Sequence, residues 1–277
     1  MTGIILAAVG SLFAEISLSI GKVKAQLKQE SIYSMGFLSL FWGSLFFLAL
    51  ALFVPSSFVF SLQSLPTFIP RVFLEIAQAH VTMLAITRSP RSSFGFIRTG
   101  TIPLLLLVDV VLGYTIGTTH IIGMGVIMLT LALLFMNHGI EKKGSGLVLF
   151  TTVNAVATIS LYKYNISHFN SVVGEQLFVY LALFAYFLAI SWLVTKERPF
   201  RMLAKPIFFA QSASEGLASI IMSFAYGFAP ASVITAAKRA FEILWSIVSG
   251  NRVFHEKRAL FKLVAFALLA IGIALLI

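Results

Sequence analysis

The sequence has no cysteine, which excludes disulfides, thiolate metal sites and a cysteine nucleophile. It is also poor in charge. Asp, Glu, Lys and Arg make up 11% of its 277 residues, against roughly 25% in a soluble domain. That shortage leaves too little polar surface to coat a globule of this size. Signatures of catalysis are missing as well: there is no His-Glu-x-x-His, no P-loop and no paired acidic motif within one apolar run. Four histidines, His120, His138, His168 and His255, fall in predicted loops, and Gly144-Ser-Gly146 sits in a basic linker rather than a nucleophile elbow. No ring of repeated acidic residues suggests a channel. The chain reads as a non-enzyme with no cofactor and no metal.

What is present in quantity is apolar side chain, 59% of the chain, with a mean hydropathy of +0.98. A helical bilayer span needs about 20 apolar residues, so ten spans at about 28 residues each, connections included, would use nearly the whole chain. The expected fold is therefore an all-α polytopic membrane protein. Ten helices are predicted at 3–21, 31–53, 69–87, 92–114, 119–137, 145–163, 173–195, 206–227, 231–250 and 259–277. Their breaks are punctuated by Lys22, Lys24 and Lys28, by Pro55 and Pro66, by Arg88-Ser-Pro-Arg91, by Glu141-Lys-Lys-Gly144, by Lys196-Glu-Arg-Pro199, by Pro230 and by Arg252 to Arg258. The first run, Ile4 to Ile20, holds Glu15 and lacks a basic n-region, so it reads as a retained span rather than a signal peptide.

The net charge of +10 invites a nucleic-acid partner, but in a membrane chain it more often reports orientation. Fifteen of the twenty Lys and Arg fall in the odd-numbered loops and their margins, two (Arg71 and Lys163) in the even ones, and three (Arg98, Lys238 and Arg239) inside spans. Basic loops stay in the cytoplasm, so both termini are expected outside a cytoplasmic membrane, with lipid and a small solute, not nucleic acid, as partners. The loop cations themselves read as solvated topology determinants. Oligomeric state is not legible.

The Glu141–Gly144 linker lies near the midpoint, and an offset of 140 residues aligns Glu75 with Glu215, Ala85 with Ala225, Pro90 with Pro230 and Ser92 with Ser232, with Arg98 opposite Lys238. Two repeats of five helices, 1–140 and 141–277, must sit inverted in the membrane, an arrangement that puts a transporter's site at the midplane between halves.

The chain resembles the drug/metabolite transporter superfamily, in its ten-helix branch built from two EamA-type repeats. The resemblance covers the whole chain and rests mainly on Ala229-Pro-Ala-Ser-Val, Lys238-Arg-Ala-Phe-Glu-Ile-Leu-Trp-Ser-Ile-Val-Ser-Gly250, Phe254-His-Glu-Lys257 and the glycine-containing last run with Gly272. The corresponding loop of the first half, 113–120, departs from that pattern in having no glutamate. The resemblance implies a secondary carrier, and for its members cytoplasmic termini are more usual, opposite to the charge bias here. The Lys238-Arg239 pair is also similar to one in sugar-phosphate translocators of the same superfamily, where it holds a phosphate.

Polar residues inside the runs form stripes at helical spacing: Ser11, Glu15, Ser19 and Lys22; Arg71, Glu75, Gln78 and Thr82; Thr151, Asn154, Thr158 and Tyr162; Gln211, Glu215, Ser219 and Ser223; Thr235, Lys238, Glu242 and Ser249, with Arg239 alongside. An ionisable group at mid-bilayer costs roughly 2.5–3.5 kcal/mol on insertion scales, so each needs a partner, a cavity or a function. Counting helical rise places Arg98 and Lys238 about 5 Å from the midplane and Glu75 and Glu215 close to it. The residues expected to bind substrate are Glu15, Glu75, Gln78, Arg98, Asn154, Gln211, Glu215, Lys238, Arg239 and Glu242, with Glu15, Glu75 and Glu215 as candidate proton sites. The competing reading is structural pairing, Lys238 and Arg239 with Glu242, and Glu75 with Arg98. The expected function is alternating-access transport of a small polar metabolite. The alternatives are exchange of a phosphorylated anion on Lys238 and Arg239, and a non-transporting membrane scaffold.

Overall fold

The computed structural model describes residues 2–111, 117–136, 140–228, 231–256 and 259–275. The 113–116 part of the first-half loop, Ala229 and Pro230, His138, Lys257 and Arg258 fall outside them. The described residues are helical throughout, without strands. The helices are α1 (Thr2–Gln26), α2 (Ile32–Phe53), α3 (Leu65–Arg88), α4 (Arg91–Arg98), α5 (Thr101–Val111), α6 (Thr118–Met136), α7 (Ser145–His168), α8 (Val172–Leu193), α9 (Pro199–Met202), α10 (Pro206–Ala225), α11 (Ala231–Arg252) and α12 (Ala259–Ala274). Among the described residues six segments are long and apolar enough to cross a membrane: α1, α2, Pro55–Arg88, α7, α8 and α10. The chain is an integral membrane protein of helical type.

Local chemistry sets the boundaries. Ser31 and Ser171, which are 140 residues apart, cap α2 and α8 in the same way. Each sits in extended backbone and accepts through its hydroxyl from the N–H three residues on, Ser34 and Gly174. Prolines open α9 and α10, where a missing N–H costs nothing. Two readings need correction. His120 and His168 lie in α6 and at the last position of α7, not in loops. The run predicted as one helix over 92–114 is two, α4 and α5, broken at Thr99–Gly100. Pro103 explains the break: its ring conflicts with the carbonyl four residues back, that of Thr99, and Gly100 does little to hold a helix there. The turn is carried instead by tight bonds from Thr99 N to Phe96 O and from Gly100 N to Ile97 O, both at 3.1 Å.

Packing follows an exchange pattern. α1 lies along α10 and α11, while α7 lies along α3 and the α4–α5 pair. α2 packs on α10 as α3 packs on α8, and α11 on α12 as α5 packs on α6. The pairs α2–α8, α4/α5–α11 and α6–α12 bring corresponding helices together. One apolar core, with Phe37, Phe47 and Phe187, fills the α2–α3–α8 side, and a second, with Phe96, Ile127 and Leu269, the α4–α6, α11 and α12 side. Between them runs a polar seam.

Candidate functional site

The seam opens into a cavity of about 270 Å³ lined from α1, α3, α4, α7, α8, α10 and α11. The break after Arg98 puts that side chain at the carboxyl end of α4, where the helix dipole favours a cation. Six of the ten expected site residues line this one space: Glu75, Gln78, Arg98, Glu215, Lys238 and Arg239. Both pairs that the 140-residue offset aligns, Glu75 with Glu215 and Arg98 with Lys238, are among them. Tyr162, Tyr180 and Tyr226 line it too, with Thr158, Gln176, Ser219 and Ser223. The lining is thus charged and hydroxylic with short apolar stretches such as Ala155 and Met222.

The other four expected residues sit around it. Asn154 donates to Gln78 Oε1 and to Leu74 O, each at 2.9 Å, and so orients a lining residue from behind. Glu242 accepts a short hydrogen bond from Arg239 Nη1, and its other oxygen lies 3.7 Å from Lys238 Nζ. Glu15 and Gln211 belong to two other polar clusters.

Glu15 accepts from one edge of the Arg91 guanidinium through both oxygens, from Nε to Oε1 at 3.1 Å and from Nη2 to Oε2 at 2.6 Å, and accepts a further bond from Ser249. α1, α4 and α11 are tied together by this contact. Beside it Glu256 accepts from Arg91 N at 2.6 Å and from the Ser92 hydroxyl, capping α4 with a carboxylate. Burial works against that carboxylate, but the Ser92 bond and the Lys262 ammonium at 3.1 Å outweigh it and hold Glu256 below the usual carboxylate range. Arg91, Lys22 and Lys262 were expected on solvated loops or margins. All three are buried, because each meets a partner from elsewhere in the chain: Glu15, the Ser89 carbonyl and Glu256.

A second ionic contact ties α3, α7 and α8. Arg71, 2% exposed, meets the fully buried Glu175 at 2.5 Å, and Glu175 also accepts from Asn165 at 2.8 Å and from Asn170. Arg71 reaches Gln176 Oε1 at 3.3 Å and stacks over the Tyr162 ring at 4.5 Å. Glu175 was missed at the sequence level although it is an acid inside an apolar run, the signal used for Glu75 and Glu215. Gln211, the offset counterpart of Arg71, donates to Glu30 Oε1 at 2.9 Å. Glu30, the counterpart of Asn170, is thus drawn from the α1–α2 connection onto α10.

Charge balance in the cavity is uneven. Glu75 lies 3.6 Å from Arg71, not against Arg98 as the pairing reading had it. Among the described residues no carboxylate lies within ion-pair distance of Arg98 and no cation within that distance of Glu215. Arg98 Nε and Glu215 Oε2 are both buried without a hydrogen-bond partner. The closest aromatic support for Arg98 is the Phe94 ring at 5.2 Å.

Comparisons with known proteins supply no further constraint: no protein-family model matches the chain and no curated protein matches it.

Proposed function

We propose that this protein is a secondary transporter that moves a small polar metabolite across the cytoplasmic membrane by alternating access, with two inverted five-helix repeats, 1–140 and 141–277, and both termini outside. The observation that carries this reading is that Glu75, Glu215, Arg98 and Lys238, paired by the internal repeat, line one cavity. Charges in apolar helices are retained at a cost, and a shared polar space between helices of both halves gives them a purpose. The exchange pattern of helix packing supports the repeat, since the main contacts between the halves, α1 with α10 and α11 and α2 with α10, have counterparts with the halves interchanged, α7 with α3 and α4/α5 and α8 with α3. The discontinuous α4–α5 segment, with Arg98 at its break, is the kind of element that secondary carriers place at a substrate site.

The alternation follows from the two ionic contacts. Arg71–Glu175 ties α3 to α8 near their amino-terminal ends, whereas Glu15–Arg91–Ser249 ties α1 to the start of α4 and the end of α11. The Glu15–Arg91 pair lies within the first half, so rocking of one half against the other opens either Arg71–Glu175 or, at the opposite end, the bonds of Ser249 to Glu15 and of Glu256 to Arg91 and Ser92, while the other set holds. No ATP-hydrolysing part enters this account; coupling comes from a substrate gradient, exchange, or protons on Glu75 or Glu215. Arg239 is engaged by Glu242, which weighs against a phosphate site on Lys238 and Arg239.

Reconstitution tests the reading. Purified protein in proteoliposomes is expected to take up a member of a panel of amino acids, nucleobases and phosphorylated sugars saturably, and Glu215→Gln to lower that uptake at least tenfold. Absence of movement for every solute, with a stable partner copurifying, would replace the carrier with a scaffold.

A further inference from the structure

Resting on the carrier reading, the two uncompensated charges of the cavity define the class of solute. We propose that the substrate is a zwitterion whose carboxylate is taken by Arg98 and whose ammonium is taken by Glu215.

The internal repeat shows how the imbalance arises. In the first half Glu75 has Arg71 four residues before it, at 3.6 Å, but Arg98 has no acid one turn on: position 102 is Ile102. In the second half the situation is reversed. Lys238 has Glu242 one turn on, at 3.7 Å, while the residue four before Glu215 is the neutral Gln211, which is spent on Glu30. Of the charges lining the cavity, Arg71 and Glu75 are engaged with each other and with Glu175, and Lys238 and Arg239 with Glu242, which leaves a cation of the first half, Arg98, and an anion of the second, Glu215, without an ion-pair partner among the described residues. Both reach the same space with one polar atom buried and unpaired.

An unpaired buried charge is expensive to keep. A solute of one sign would match one of these groups and leave the other uncompensated. A solute bearing both signs satisfies both, and in doing so links the two halves that must rock together. Arg98 offers a planar fork suited to a carboxylate, and Glu215 an acceptor suited to an ammonium. The size is consistent: about 270 Å³ corresponds to about nine water molecules at their share of liquid volume, room for a solute of that order in heavy atoms. The Tyr180, Ser219 and Ser223 hydroxyls line the same space.

The test is binding to the purified full chain, read as thermal stabilisation. The standard amino acids are added one at a time, and the best of them is compared with its analogue lacking the amino group and its analogue lacking the carboxylate. The expected result is stabilisation by at least one amino acid, with each analogue weaker by about 10- to 100-fold, the range for losing a charged hydrogen bond. Arg98→Gln should narrow the gap for the analogue without carboxylate, and Glu215→Gln for the analogue without amine. Equal binding of either analogue to the unaltered protein would overturn the proposal. So would stabilisation or uptake by a phosphorylated sugar, nucleobase or simple amine while no amino acid acts, a result that leaves the carrier reading standing. Failure of every solute in both binding and uptake would remove the carrier reading and this inference together.

Discussion

Gln211 Nε2 donates to Glu30 Oε1 at 2.9 Å, and the remaining oxygen of each group, Glu30 Oε2 and Gln211 Oε1, is buried without a partner. The pair lacks one proton. Protonated Glu30 can donate from Oε2 to Gln211 Oε1 and close a two-bond ring between the α1–α2 connection and α10.

The environment favours that proton. Burial, reinforced by the neighbouring Glu197 carboxylate, pushes Glu30 up to about 8, against the Gln211 bond and Lys24. A carboxyl raised in the folded state takes up protons that the unfolded chain does not, so stability falls as pH rises. The window runs from the ordinary value of 4.5 to about 8. Melting temperature in detergent should drop across that window in the parent protein, and Glu30→Gln should flatten the drop. A parallel decline in the variant would assign the pH dependence elsewhere.

Glu175 is the most buried carboxylate of the ionic contacts, at 0% exposure. Glu175→Gln leaves the Arg71 guanidinium facing no full charge except Glu75 at 3.6 Å. Breaking such a pair on one side costs about 3–5 kcal/mol. The double change Arg71→Gln with Glu175→Gln should recover part of it, since it removes both charges while the amide oxygen at 175 can still accept from Asn165 and Asn170. Chemical denaturation of the three variants reads both effects, and a double variant no better than the single would contradict the pairing.

Backbone contact makes one glycine irreplaceable. A Cβ on Gly174 would lie 2.2 Å from the Val59 carbonyl oxygen, whereas one on Gly146 meets nothing within 4 Å. Gly174→Ala should therefore displace the 58–61 connection from α8 and lower folded yield sharply. Gly146→Ala, near the start of α7, should be neutral or gain up to about 1 kcal/mol. Size-exclusion profiles of the two variants compare them directly.

Membrane orientation rests on the loop charges alone. Reporter fusions at both termini should read as external and those in 196–205 as cytoplasmic. The reverse pattern would leave the helical fold intact and refute the charge argument.

The sequence carried the helical class and the cavity charges for one reason: apolar runs near 20 residues are unambiguous, and an ion inside one is conspicuous. Glu75 and Glu215 stood out in this way and line the cavity. Arg91 did not, because Arg88-Ser-Pro-Arg91 has the form of a solvated turn; its partner Glu15 is 76 positions away, and only tertiary packing brings α1 against that turn. Glu175 carried the same signal as Glu215 but belonged to no stripe, since its partners Arg71 and Asn165 come from other helices. The α4–α5 break was visible as Thr99-Gly-Thr-Ile-Pro103 and was overridden by the apolar run on either side. The division of ionic contacts between the two ends was not legible, because it depends on which helices touch.

Because the chain contains no cysteine, a single Ser219→Cys change places the only reactive thiol in the central cavity. Labelling it with a membrane-impermeant maleimide, applied separately to each side of sealed vesicles, tests alternating access directly. The account predicts labelling from both sides, slowed from both by the transported solute. Labelling from one side only, or from neither, in protein that still inserts and folds would contradict it.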